Sequence, residues 1–194
     1  MIEHADGVTR CFGGSEDTLM QRYHDEEWGV EIHDERMLFE LLSLEGFQAG
    51  LSWRTVLHKR EALRAAFEGF DPYRVSMYTN IDRDRLLADA GIIRHRLKIT
   101  ATISNARRFL KIQKEWGSFD RYIWQFTGHQ VLRDPRISID TVPAFTPESD
   151  KMSADLNKRG FRFVGTRICY AFMQASGMVD DHIVDCFKAK EILS

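Results

Sequence analysis

The chain has 194 residues, 43% hydrophobic and 29% charged, with a formal net charge of −2. That mix excludes a disordered chain, and the charge excludes a globally basic surface, so any nucleic-acid face must be a local patch. No window is apolar enough for a membrane span and no secretory h-region stands near the start. Three cysteines, an odd set, argue against a disulfide framework, so the expected compartment is the cytoplasm. Asp34 predicts the cap of a helix whose Met37, Leu38, Leu41 and Leu42 repeat at helical spacing. Ser52 caps the next, with Trp53, Val56 and Leu57. Asp71 and Pro72 are an N-cap and a proline at the first helical position. A helix from Asp82 to Ala90 stops at Gly91, and a long one runs from Ile92 to Lys114. Ser118 opens a segment with Phe119, Tyr122, Ile123 and Phe126 on one face. Thr146-Pro147-Glu148 begins another helix, and a last one spans Val164 to Ser176 before Gly177. Val131 to Val142 has room for extended pieces, weakened by Pro135 and Pro143. With no linker and no repeat, the expectation is one all-α domain over residues 1–194, with about eight helices.

Five groups of residues carry chemistry. Glu45 falls on the apolar face of its helix, behind Leu38, Leu41 and Leu42. It either swings to solvent beside Gly46 or lines a pocket for a polar or cationic ligand, because an unpaired buried charge is costly. The loop expected from Gly46 to Trp53 is a turn with core anchors or a glycine-borne wedge with an aromatic for stacking. The run Tyr23-His24-Asp25-Glu26-Glu27-Trp28-Gly29 suits a satisfied core loop or a site. Cys11, His24, His182 and Cys186 are the donor types of a closed structural zinc site, and His182 and Cys186 share a face if helical. Two buried thiols and two surface histidines are the plainer alternative, and Cys169 belongs to core packing. From Leu156 to Thr166 the pattern is helix, tight turn, helix. Gly160 and Gly165 permit the turn, Phe161, Phe163 and Val164 anchor it, and the second helix offers free N–H groups for a phosphate. It is either a helix-hairpin-helix grip on DNA or a plain αα-hairpin with solvated arginines.

In order along the chain, the blocks Tyr23 to Val30, Leu44 to Trp53, Asp89 to Arg96 and Lys158 to Gln174 resemble the bacterial 3-methyladenine DNA glycosylase I family, of the helix-hairpin-helix superfamily. The resemblance runs from Arg10 to Cys186 and implies an all-α helix-hairpin-helix glycosylase fold, its two ends joined by structural zinc on Cys11, His24, His182 and Cys186. It implies a pocket in which Glu45, Tyr23 and Trp53 act on a flipped base, with Trp28, Glu27 and Gln48 also contacting substrate. Gly50 and Leu51 match the intercalating tip, and Gly160, Phe161, Val164, Gly165 and Thr166 match the DNA grip. The implied partner is double-stranded DNA with alkylated bases, bound by a monomer that releases 3-methyladenine without lyase activity. An ionised Glu45 would attract the cationic base. Four positions depart from the family pattern. Phe12-Gly13 replaces Gly-Trp, Met20 replaces a tyrosine, Leu97 replaces a glycine, and Asp180 stands where the family carries no acid. Asp180 is either an aid to catalysis or a local Asx cap.

Overall fold

Side-chain caps set most helix starts in this chain. The computed structural model describes residues 2–3, 7–13, 16–133 and 138–189, so Pro135 lies outside the described residues. α1 (Thr18–Glu26) opens where Asp17 accepts from the Met20 N–H. α2 (Glu35–Gln48) opens at Asp34 and α3 (Trp53–Leu57) at Ser52. α4 (Arg60–Ala66) has no side-chain cap. α5 (Pro72–Ser76) opens at Asp71, and α6 (Asn80–Ala88) opens on a capping box between Thr79 and Asp82. His95 caps α7 (Arg96–Trp116), Ser118 caps α8 (Phe119–Trp124) and Thr146 caps α9 (Pro147–Lys158). α10 (Thr166–Ala175) follows Gly165 with no side-chain cap. Two short ladders complete the mostly helical fold: β1 (Ile2–Glu3) antiparallel to β2 (Thr9–Arg10), and β3 (Leu132–Arg133) parallel to β4 (Val179–Asp180).

The structure departs from the sequence pattern at several places. The described residues hold ten α-helices. α1 and α4 are additions, and α1 escapes periodicity because only Tyr23 and His24 of its nine residues are buried. α2 runs through Gly46 to Gln48 instead of breaking there. A Cβ at Gly46 would lie 3.4 Å from the Phe163 Cβ, in ordinary van der Waals contact, so this glycine sits inside a helix beside the hairpin rather than in a turn. α6 starts two residues early at its capping box, and α7 starts at Arg96 because Ile92 to His95 forms a connector. His182 and Cys186 sit on no helix. They flank a turn in which the Cys186 N–H donates to the Ile183 carbonyl at 2.8 Å. The extended piece expected between Val131 and Val142 is β3, followed by a 3-10 turn at Ile139–Thr141.

Two apolar clusters organise the molecule. The larger joins Leu38, Phe39 and Leu42 of α2 to Ile99 and Phe109 of α7, Phe119 of α8 and Phe172 of α10. The smaller joins Cys11, Tyr23, Trp28 and Leu57 to Ile183 and Cys186, and so holds the N-terminal segment on the C-terminal one. No helix among the described residues is long and apolar enough to cross a membrane.

Gly177 seals the junction between α10 and the strand after it. Its φ is +70°, and a Cβ there would overlap the Val30 carbonyl carbon. The clash is with backbone, which cannot swing away. Gly177→Ala is expected to cost about 2–4 kcal/mol, read as a lower midpoint in chemical denaturation.

Candidate active site

α2 delivers Glu45 to a cavity of about 380 Å³. Phe12, Met20, Tyr23 and Trp28 line one side of it, and Gln48 and Trp53 line the mouth of α2 and α3. Ile139, Val142, Ala171 and Gln174 close the rest. The Tyr23 and Trp53 ring centroids are 5.1 Å apart, and Phe12 meets Trp28 edge-on at 4.9 Å. Glu45 is 3% exposed, and its Oε2 has no hydrogen-bond partner. The Trp53 Nε1 is buried and equally without a partner. Burial pushes the Glu45 carboxyl up to about 8 and the Tyr23 hydroxyl well above its ordinary range. The sequence reading has Glu45 ionised when it meets the cationic base; without a partner to repay its desolvation, burial favours its protonated form.

The sequence-predicted residues Glu45, Tyr23, Trp53, Trp28 and Gln48 all reach this cavity. Glu27 does not. Its carboxylate accepts from Arg60 at 2.5 Å, in a network with the buried Glu40, so its expected substrate contact gives way to an ion pair. Phe12 and Met20 enter the sequence reading as departures that alter the aromatic pocket, whereas Ile139, Val142, Ala171 and Gln174 escaped it as pocket walls. Only the i, i+3 spacing of Ala171 and Gln174, and of Ile139 and Val142, hinted at shared faces. Gln174 is held by its Nε2 donating to Asp181 at 2.8 Å.

Beyond the cavity mouth α2 ends in a fixed loop. Gly50 has φ +76° and Leu51 is 42% exposed, its N–H donating to the Gln48 carbonyl. The Lys98 ammonium donates to the Phe47 carbonyl at 2.8 Å and the Ala49 carbonyl at 2.5 Å, placing a cation on the negative end of the α2 dipole. The hairpin from Gly160 to Thr166 is fixed as tightly. Phe161 and Val164 are buried anchors, and the Asn105 amide both donates to and accepts from the Arg162 backbone at 2.9 Å. Phe163 is held at φ +56°. A Cβ at Gly165 would meet open space, and α10 begins after it with no side-chain cap on its first N–H groups.

Next to the cavity lies a cluster of side chains of the types that can hold a metal ion. The donor atoms of Cys11, His24 and Cys186 lie within 4.8 Å of one another, all buried. His182 stands outside that trio, its ring 5.2 Å from that of His24 and its buried Nε2 without a partner. Each imidazole rests its Nδ1 on a carboxylate at 2.8 Å, His24 on Asp25 and His182 on Asp180. That arrangement orients Nε2 for ligation. A hydrogen bond between the two thiols holds that of Cys186 below its ordinary value and raises that of Cys11. The donor set, two thiols and two oriented imidazoles, fits a tetrahedral metal. Asp180 is committed here: it accepts the His182 N–H at 3.1 Å in an Asx turn and lies off the cavity wall. Cys169 is buried against the Val164 carbonyl, apart from the cluster.

A family model described as methyladenine glycosylase matches residues 14–189. The chain belongs to the methyladenine glycosylase family. It is 50% identical over 179 residues to DNA-3-methyladenine glycosylase 1 of Escherichia coli (strain K12), covering 92% of this chain and 96% of that protein. A crystal structure of 3-methyladenine DNA glycosylase I superposes with a TM-score of 0.89 at 52% identity, over 92% of this chain and 98% of that one. A variant of 3-methyladenine DNA glycosylase I crystallised in complex with 3-methyladenine also superposes at 0.89, with 34% identity over 92% and 96% of the two chains. Against the family pattern, Phe12 restores an aromatic wall beside Trp28, and Met20 leaves an apolar, pliable one.

The buried carboxyl makes stability depend on pH in a defined direction. Its folded value, about 8, lies above the ordinary 4.5, so the folded state holds a proton that the unfolded chain has released. Its contribution to stability is full below about 4.5 and lost as pH rises through about 8. Glu45→Gln removes that loss. Denaturation at pH 5 and pH 9 should show the variant gaining on wild type with rising pH, by at most roughly 5 kcal/mol.

Proposed function

We propose that this protein excises 3-methyladenine from alkylated double-stranded DNA, flipping the base out and hydrolysing its N-glycosidic bond. The observation that carries the reading is the buried Glu45 carboxyl, its Oε2 without a hydrogen-bond partner among the described residues, in a cavity lined by aromatic rings. The relative crystallised with 3-methyladenine, similar over nearly the whole chain, supports it.

Methylation at N3 makes the base cationic and a ready leaving group, so catalysis needs extrusion, orientation and charge recognition rather than a strong acid. Ionising Glu45 at pH 7 costs about 1.4 kcal/mol from its raised value. A cation about 4 Å away returns about 4 kcal/mol at an effective dielectric of 20. Neutral adenine brings no charge to meet the carboxylate, which gives the selectivity. The free Glu45 oxygen then accepts from the exocyclic amine, while the Trp53 Nε1 has a donor left for the bound base. Tyr23 and Trp53 present aromatic faces to its positive charge. Leu51, on its tethered loop, fills the gap left in the duplex. Water attacks the sugar carbon and an abasic site remains. No lysine is among the residues lining the cavity, so the reaction ends without a lyase step.

The same reading makes the fold a single helix-hairpin-helix domain acting as a monomer in the cytoplasm. The uncapped start of α10, with Gly160, Gly165 and Thr166, seats a DNA phosphate through backbone N–H groups, positioned by buried Phe161 and Val164. Cys11, His24, His182 and Cys186 hold a structural Zn²⁺. With all four positions taken by protein, the ion supplies stability rather than an activated water. The orphaned Nε2 of His182 beside the three clustered donors supports this ligand set.

Two experiments test the reading. In a released-base assay on methylated DNA, Glu45→Gln should lower kcat/KM by about 100-fold with the fold intact. Wild-type kcat/KM should fall as pH drops below about 8, and the variant should not follow it. Wild-type excision by the variant would remove Glu45 from the mechanism. Metal analysis should find about one zinc per chain, and Cys186→Ala should lose it and unfold at lower denaturant. Metal-free protein of unchanged stability would overturn the zinc assignment.

A further inference from the structure

The loop and the hairpin assigned to DNA contact are joined by α7, whose outer face has no role so far. Lys98 anchors the loop at one end, Asn105 clamps Arg162 of the hairpin, and Arg108 lies beneath Gly160, where a Cβ would approach its Nε to 3.1 Å. Two cavities open along this face. One, of about 420 Å³, is lined by Leu97, Thr100, Ala101, Ser104, Arg162 and Phe163. The other, of about 640 Å³, shares Thr100 and Ser104 and continues to Tyr78, Arg83, Arg107 and Arg108. The shared residues make them one trough.

The charge of this trough is one-sided. Neither cavity is lined by an aspartate or a glutamate. Arg83 leans on Asp84, but Arg107, Arg108 and Arg162 pair with no carboxylate among the described residues. Elsewhere in the fold arginines such as Arg10, Arg60, Arg74 and Arg159 are neutralised by acids. Arg107 is held in place by donating to the Ser76 and Tyr78 carbonyls, and the Arg108 Nε is buried without a partner. Leu97, 65% exposed, adds an apolar lip at the hairpin end. A chain of net charge −2 that binds DNA needs a local positive field, and fixed, uncompensated arginines beside hydroxyl groups suit phosphate and sugar.

We propose that the trough along α7 holds a stretch of duplex DNA backbone flanking the lesion, continuous with the phosphate seat of the hairpin. This rests on the glycosylase reading and adds to it a second contact surface, made by Arg107, Arg108 and Arg162. The contact serves binding rather than chemistry, so it acts on KM and on the salt dependence of affinity, not on the bond-breaking step.

Two double variants test it. Arg107→Gln with Arg108→Gln removes charge, and Thr100→Glu with Ser104→Glu leaves the arginines in place but sets like charge against phosphate. Both should raise KM on alkylated duplex about tenfold at physiological salt with kcat unchanged, and the first should reduce the salt slope of duplex binding by about two. Affinity for the free base 3-methyladenine, which a damaged fold would lose, should stay at the wild-type value. Shortening the duplex flanks to the bases around the lesion should abolish the difference between variants and wild type. If Thr100→Glu with Ser104→Glu keeps the wild-type KM and salt dependence while wild type releases 3-methyladenine, the trough is no DNA surface. If wild type releases none, the glycosylase reading itself falls and the trough proposal with it.

Discussion

An unpaired carboxyl kept out of water is the constraint around which this molecule is built. α2 carries two buried glutamates, and they differ in one respect. Glu40 accepts from Arg60 and Arg64, so its burial is compensated within the protein. Glu45, one turn and a half further on, has a free oxygen and no cation in reach, and its proton affinity rises accordingly. Burial of an acid is therefore not itself a sign of function. The sign is an acid whose missing partner has room to arrive, and the cavity beside Glu45 supplies that room.

The cavity exists because two parts of the chain meet over α2. The larger apolar cluster fixes α2, α7 and α10, and so sets Glu45, Ala171 and Gln174. The smaller cluster supplies the opposite wall. Tyr23 and His24 are neighbours on α1, one turned to the cavity and the other to the cysteines, and Trp28 packs its ring 4.6 Å from that of His182. Loosening the cysteine–histidine cluster would thus open the aromatic wall. The cysteine–histidine cluster and the cavity are two faces of one packing unit, although none of Cys11, His24, His182 and Cys186 lines the cavity.

Much of this was legible in the sequence, for local reasons. Capping residues at Asp34, Ser52, Asp71, Ser118 and Thr146 act within a few residues of themselves, so a linear reading finds them. Glu45 was visible as a charge on an apolar face. The features that escaped depend on distant contacts. Gly46 reads as a stop, but its helix continues to Gln48, with Phe163 of the hairpin lying beside it. His182 and Cys186 fit a helical spacing, yet the chain turns between them, and a separation of four residues suits both shapes. Glu27 lies in the right block, but Arg60, thirty-three residues away, takes its carboxylate. Ile139, Val142 and Gln174 reach the cavity only through the packing of three separate segments.

The altered aromatic wall shows which interaction the selectivity rests on. Gly13 stands where the family pattern has a tryptophan, with Phe12 as its aromatic neighbour, and Met20 stands where it has a tyrosine, so stacking area is reduced on that side. A cation–π contact contributes about 0.5–2 kcal/mol, and one lost face removes a fraction of it. The carboxylate–cation attraction is about 4 kcal/mol at an effective dielectric of 20 and depends on exclusion of water rather than on ring size. Phe12 packs edge-on against Trp28, and Tyr23 and Trp53 keep their mutual contact. A pocket that loses stacking surface but stays dry therefore keeps most of its preference for a charged base. The stronger attraction does not depend on the residues at positions 12, 13 and 20, because it arises at the buried end of α2.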